Sequence, residues 1–272
     1  MEKESKMLLC IDIGNTNVSF ALFDKTDDTP VCVMASELSC VKNRSADEYA
    51  VIMKSIIDLK IGSGYIIDSA SISSVVPSAT NIVADAARIL SGSGPFIIGP
   101  GIKTGFKIDI NDPASLGTDI AANVAAAIQD TNKPVIIFDA GTANTITVVD
   151  NNRTVIGIII LPGLRISAES LSDNAELLDS VAIDYSDIPL IGKSTAESVR
   201  SGLVHGNSLM LDGYVRNIRE MLTADDPENK PVLIATGDYA ECITSKCRNK
   251  FRFDSSLTLK GIATLYYKNI GK

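Results

Sequence analysis

Hydrophobic positions along the chain alternate between two periods. Short apolar runs at 7–11, 18–23, 31–38 and 66–76 are bounded by Asp, Gly, Asn or Ser and read as strands. Between the last two, Ser45-Ala46-Asp47-Glu48 has the spacing of a capping box, and Tyr49, Ile52, Met53, Ile56, Ile57 and Ile61 then recur at helical spacing. Pro77 precedes a helix expected over 78–90, and 96–98 is a short strand between Gly and Pro. Residues 99–113 read as an irregular loop on the substrate side, and 116–129 as an Ala-rich helix.

The order then begins again at Lys133-Pro134. Strands are expected at 135–139, 144–149 and 154–161, and a helix over 165–178. A long helix opens on a second capping box, Ser194 with Glu197, and runs through Met221. A charged turn at 225–230 leads to a strand at 232–235 that ends in Thr236-Gly237-Asp238, with a helix after it and a closing helix over 257–268. Three hairpin-linked strands followed by alternating helix and strand, twice over, predict an α/β fold of the duplicated actin-like, ribonuclease H-like type. Two β-β-β-α-β-α-β-α halves, 1–131 and 132–272, would then enclose a nucleotide cleft. A doubly wound dinucleotide fold lacks the leading hairpins, and neither Gly-x-Gly-x-x-Gly nor a complete Walker-type loop occurs.

The strongest chemical signal is duplicated as well. Asp12-Ile13-Gly14-Asn15-Thr16-Asn17 joins the first two strands, and Asp139-Ala140-Gly141-Thr142-Ala143-Asn144 joins the first two of the second half. In such a turn the glycine lets the backbone approach an anion, and the N–H groups with Thr or Asn side chains can bind phosphate oxygens. The aspartate can hold a metal ion or its waters. One Asp-x-Gly turn is commonplace; two at equivalent points indicate a phosphate grip from both halves.

Composition narrows the partners. The 272 residues carry a formal net charge of −8, which opposes a nucleic-acid-binding face, and no polybasic patch suggests a membrane surface. The first apolar run is too short for a signal peptide and no stretch is long enough to span a bilayer. Five cysteines without a Cys-x-x-Cys pair read as reduced thiols of a cytoplasmic protein, and Cys242 with Cys247 is a poor metal pair. The single histidine, His205, makes any Ser-His-Asp triad depend on one helix-surface residue.

The ordered motifs resemble those of the type III pantothenate kinases, the family that opens bacterial coenzyme A synthesis. The resemblance rests on Asp12 to Thr16, Leu116-Gly117-Thr118-Asp119, Asp139 to Thr145, Leu161-Pro162-Gly163, Gly192-Lys193-Ser194-Thr195 with Ser201-Gly202, Thr236-Gly237, and Leu257-Thr258-Leu259-Lys260-Gly261. It implies that Asp12, Gly14, Asn15 and Thr16 hold ATP phosphates, with Mg²⁺ on Asp12. Gly141, Thr142 and Thr145 would do the same from the second half, with K⁺ or NH₄⁺ near Asp139 and Thr195, and Thr236-Gly237 would line the adenosine. Asp119 aligns with the catalytic aspartate that takes the proton from the pantothenate hydroxyl, and Gly117, Thr118, Ile120 and Thr195 fall on the substrate side. A homodimer, with the acceptor pocket near the subunit interface, is implied too. Four positions depart from the pattern: Ile120 stands where the family has an arginine, Ile110 where it has an aromatic, and Ile158 and Asp238 where it has glycines. The phosphate machinery is retained while the acceptor pocket is altered. That leaves two alternatives to pantothenate phosphorylation: a kinase for another hydroxyl compound, or a ligand-sensing regulatory relative.

Overall fold

The computed structural model describes residues 5–24, 31–41, 43–175, 181–182, 188–224 and 226–270. Two compact units account for it. One comprises residues 1–105, 112–129 and 256–272, the other residues 106–111 and 130–255.

The first unit is built on a five-stranded sheet. Strands β1 (Ser5–Ile13), β2 (Asn17–Asp24) and β3 (Val31–Ser39) form an antiparallel meander, and β4 (Tyr65–Ser74) and β5 (Phe96–Ile97) add on parallel, in the order β3-β2-β1-β4-β5. β1 is central and almost wholly buried from Met7 to Ile11, which is why its sequence is a continuous apolar run rather than an alternating one. Helix α1 (Ala46–Ile61) starts as expected: the Ser45 hydroxyl accepts from Glu48 N–H, while the Glu48 carboxylate accepts from Ser45 N–H at 2.7 Å. Helix α2 (Pro77–Ser91) has its proline in the first turn, where a missing N–H costs nothing. Tyr49, Met53, Ile57, Val83 and Ala87 from these helices close the core over Leu9, Ile11, Phe20 and Ile72. Helix α3 (Thr118–Ala127) follows a single 3₁₀ turn at Pro113–Ser115.

The second unit carries a six-stranded sheet. β7 (Val135–Ala140), β8 (Ala143–Val149) and β9 (Thr154–Pro162) repeat the meander, and β10 (Val232–Thr236) and β11 (Arg252–Phe253) extend it in parallel beside β7. Helices α4 (Leu164–Asn174), α5 (Thr195–Leu222) and α6 (Ala240–Thr244) belong to this unit, where Leu164, Val204, Leu211, Val215 and Ile243 pack over Phe138 and Ile146. Of the helix expected over 165–178, residues 176–178 lie outside the described residues, as does Asp225 of the charged turn.

Three features correct the sequence-based boundaries. The stretch 99–113 is not wholly irregular: β6 (Lys107–Ile108) joins the second unit's sheet as a parallel edge strand on β9, with Lys107 N–H donating to Arg153 O and Asp109 N–H to Val155 O, both at 2.9 Å. Two-residue strands such as β6 and β11 carry too few alternations to announce themselves. The helix expected over 116–129 begins two residues later, after Leu116 and Gly117 have turned the chain. The closing helix α7 (Leu257–Ile270) does not stay with the half that precedes it: it packs on α3 and β1 of the first unit. The halves 1–131 and 132–272 are therefore interleaved by two chain segments.

The α3–α7 contact depends on a missing side chain. A Cβ at Gly261 would run into the backbone O and C of Ala122 and lie 2.8 Å from its Cα. Beside it the buried Asn123 Oδ1 accepts a 2.8 Å hydrogen bond from the Thr258 hydroxyl. Gly261→Ala is thus expected to push α7 off α3 and destabilise the protein by about 1–3 kcal/mol, the usual range for overpacking, which urea unfolding of the full chain would read.

Candidate active site

In the first unit, β1 carries Asp12 to its C-terminal end, partly buried, just before the turn. Gly14 N–H donates to Asn17 O at 2.9 Å, closing the turn and leaving Asn15 and Thr16 exposed. Thr16 O in turn accepts from Cys40 N–H at 2.8 Å, which fastens the turn to the end of β3. These are the residues expected to hold phosphate, and the structure places them together on one hairpin tip.

Asp119 lies in the first turn of α3, where the helix dipole favours a carboxylate. Its Oδ1 accepts from Ile120 N–H at 2.8 Å. Burial nonetheless outweighs these N–H contacts and holds its carboxyl above the ordinary aspartate range. A Cβ on Gly117 would collide with that same Oδ1. Gly117 is needed there for space, since its φ of −55° and ψ of 141° would suit any residue.

The two neighbours of Asp119 are both engaged with the protein. The Thr118 hydroxyl is within 3.1 Å of Ser74 N–H, Ser74 O and the Ser73 hydroxyl, so its hydrogen-bonding capacity is directed to the protein. The Ile120 side chain is buried, 8 % exposed. Neither Ser73 nor Ser74 stood out in the sequence, yet the Ser73 hydroxyl donates to Asp12 Oδ1 at 2.7 Å. The available signal was the serine at every second position of an apolar strand, Ser69, Ser71 and Ser73, all buried.

In the second unit, Asp139 closes β7 with Thr145 opposite it on β8 and Thr236 beside it on β10. Gly141 N–H donates to Ala143 O at 3.3 Å, forming the second turn, and Gly163 N–H donates to Thr142 O at 3.2 Å. Gly237, at φ +94°, lies so close to this strand end that a Cβ would sit 2.6 Å from Asp139 Oδ1 and 2.7 Å from Ala140 N. The Thr236-Gly237 pair is therefore packed onto the Asp139 strand; Thr236 itself is only 2 % exposed. Thr195 is exposed at the first position of α5, whose Ser194 hydroxyl accepts from Glu197 N–H; the Glu197 carboxylate accepts from Lys193 N–H rather than completing the box on Ser194. His205 is used structurally, its Nε2 3.0 Å from Ile188 O. All five cysteines are free thiols. Of the departures from the expected pattern, Ile158 lies mid-strand in β9 and Asp238 is exposed in the turn before α6.

Comparison with known proteins shows which family the chain resembles along its length. The family model described as type III pantothenate kinase matches residues 8–217. The chain is 33% identical over 265 residues to the type III pantothenate kinase of Syntrophotalea carbinolica, covering 97% of this chain and 100% of that protein. It is 35% identical to that of Dictyoglomus turgidum, again over 97% and 100%. Among solved structures, a Campylobacter jejuni protein assigned to the Baf family of transcriptional activators superposes with a TM-score of 0.56 at 17% identity, covering 95% of this chain and 96% of that one, which shows a shared fold.

Gly117→Ala is expected to displace the Asp119 carboxylate and lower turnover by about 10-fold or more with little loss of thermal stability, since only one short side chain must move. Steady-state kinetics beside a melting curve would check it.

Proposed function

The chain belongs to the type III pantothenate kinase family, and on that premise we propose that it moves the γ-phosphoryl of ATP onto the primary hydroxyl of pantothenate, the first step of coenzyme A biosynthesis. The single observation that carries the reading beyond family membership is the half-buried Asp119 at the start of α3, seated by Gly117 and by the Ile120 N–H. Phosphoryl transfer passes through a loose transition state, so the protein's task is to position two oxygens in line and to accept a proton late. Asp119 is the acceptor of the hydroxyl proton. The turn N–H groups of the Asp12 and Asp139 hairpins, with Thr16, Thr142 and Thr145, are the phosphate donors.

Mg²⁺ and a monovalent cation form part of the proposal. Among the described residues no cluster of three or more His, Cys, Asp or Glu could hold a metal by protein ligands alone. A lone carboxylate such as Asp12 fits an ion that takes most of its ligands from water and substrate phosphates, as Mg²⁺ does at ATP sites. Bound there, the ion would neutralise charge developing on the β- and γ-phosphates. Asp139, flanked in register by Thr145 and Thr236, offers the oxygen-rich setting that K⁺ or NH₄⁺ requires.

A buried Ile120 cannot contact the acceptor's carboxylate. A charge-assisted hydrogen bond there would contribute about 1.5–3 kcal/mol, so its absence weakens pantothenate binding without removing the chemistry. A homodimer and a cytoplasmic setting complete the proposal. The dimer follows the family resemblance, and light scattering would test it. The setting is supported by the five free thiols. Among the described residues no helix is long and apolar enough to cross a membrane.

ADP release from ATP with Mg²⁺ and K⁺, with and without pantothenate, tests the reaction; pantothenate-dependent turnover is expected, and none, with ATP still bound, would transfer the reading to another hydroxyl acceptor. Asp119→Asn should cut kcat by about 10² or more while ATP binding stays nearly unchanged. Because the ionised form is the base and burial raises its pKa in the free protein, kcat/KM of the parent should rise with pH through a midpoint above the ordinary aspartate value of 3.8. The sign for stability is opposite: a raised folded-state pKa favours folding below the unfolded pKa, and that benefit is lost as pH rises through the folded value. At neutral pH Asp119→Asn is therefore expected to be at least as stable as the parent.

A further inference from the structure

Ser73 is wholly buried, and a buried hydroxyl must place its one proton on a partner. Two oxygens are in reach: Asp12 Oδ1 at 2.7 Å and Thr118 Oγ1 at 3.1 Å. The carboxylate is the stronger acceptor and the shorter contact, so the proton goes to Asp12. The Thr118 hydroxyl accepts from Ser74 N–H and shares its own proton between Ser74 O and the Ser73 hydroxyl, each 3.1 Å away. A short polar chain thus runs from the end of β1, through the end of β4, to the first residue of α3. The residue after Thr118 is Asp119.

We propose that Ser73 is a positioning residue for phosphoryl transfer: its hydroxyl fixes the rotation of the Asp12 carboxylate and ties it to the start of α3, so that the carboxylate on the phosphate side and the base on the acceptor side share one frame. The inference rests on the reading of Asp12 as the carboxylate that holds Mg²⁺. Sheet register gives it independent support. Asp12 pairs with Ser73 across the parallel strands β1 and β4, and Asp139 pairs with Thr236 across the parallel strands β7 and β10. In both units a buried hydroxyl residue on the neighbouring parallel strand stands beside the strand-end aspartate, with Ser73 0 % and Thr236 2 % exposed. A hydroxyl placed only to fill space would not need to recur at the same register of two sheets.

The experiment compares the parent, Ser73→Ala, Asp12→Asn and the double variant in the full chain, with Mg²⁺ titrated at saturating ATP and pantothenate. Ser73→Ala removes one oxygen from a packed site, and its melting temperature establishes that it folds. The expected result is a kcat about 10-fold or more below the parent, a several-fold higher Mg²⁺ requirement both in turnover and in the Mg²⁺-dependent tightening of ATP binding read by calorimetry without acceptor, and little further loss when the substitution is added to Asp12→Asn. Parent-like kcat and Mg²⁺ dependence in a folded Ser73→Ala would overturn the proposal, as would a full, additive loss in the Asp12→Asn background. The underlying reading is judged separately: if Asp12→Asn itself keeps the parent's Mg²⁺ dependence, Asp12 is not the metal-side carboxylate, whatever Ser73 does.

Discussion

The approach of backbone to backbone at positions without a Cβ is the constraint on which the site depends. Gly261 lets α7 lie directly on the Ala122 peptide of α3, and a helix held that firmly can present Asp119 at a fixed place. In the second unit Gly237 does the same for the end of β7, its atoms filling the space against Asp139 and Ala140. Neither contact is a hydrogen bond or an ion pair. Each adds close main-chain packing near the aspartate, which for Asp119 comes on top of the hydrogen bond from Ile120 N–H. This is an inexpensive way to preorganise a charged group, since attractive partners would lower its pKa and its basicity while packing does not.

Asp119 shows the balance struck. Two backbone N–H groups draw its pKa down and burial pushes it up, and burial prevails. The folded state is less stable for carrying that carboxylate ionised near neutral pH, because burial disfavours the charged form. The exposed surface pairs, such as Lys54 with Asp58 and Arg165 with Glu169, contribute little by comparison because water screens them. What holds the site is the interior: continuous apolar strands, alanine-lined helix contacts and buried hydroxyls.

Much of this was legible along the chain. Both meanders, the Ser45 capping box, the proline-led α2 and the long α5 follow from periodicity and caps, because those signals are local and extend over many residues. The two Asp-x-Gly hairpins were visible because the pattern occurs twice. What escaped was set by tertiary partners. Nothing local to 257–270 says that α7 crosses back to the first unit; the Gly261 motif matched as sequence, but its meaning is the Ala122 backbone, more than a hundred residues away. The strand pair β6–β9 joins two residues to two others, below the length at which alternation is readable. The internal partners of Thr118 and Thr236 were equally invisible: the fold brings the first to Ser73 and Ser74 and buries the second at the register of Asp139.

The duplication runs deeper than the hairpins that first revealed it. Superficially the two units share a glycine turn after a strand-end aspartate. The register shows that they also share what stands on the adjacent parallel strand, a buried hydroxyl at the level of the aspartate, followed by a residue that begins a tight turn. From that common plan the units diverge at the next position: Ser74 in the first sheet uses its peptide to bind Thr118 and so recruits a helix, whereas Gly237 in the second gives up its side chain to let the loop lie against Asp139. One unit thereby ties its strand-end aspartate to the start of α3, and the other packs a loop closely against its strand end.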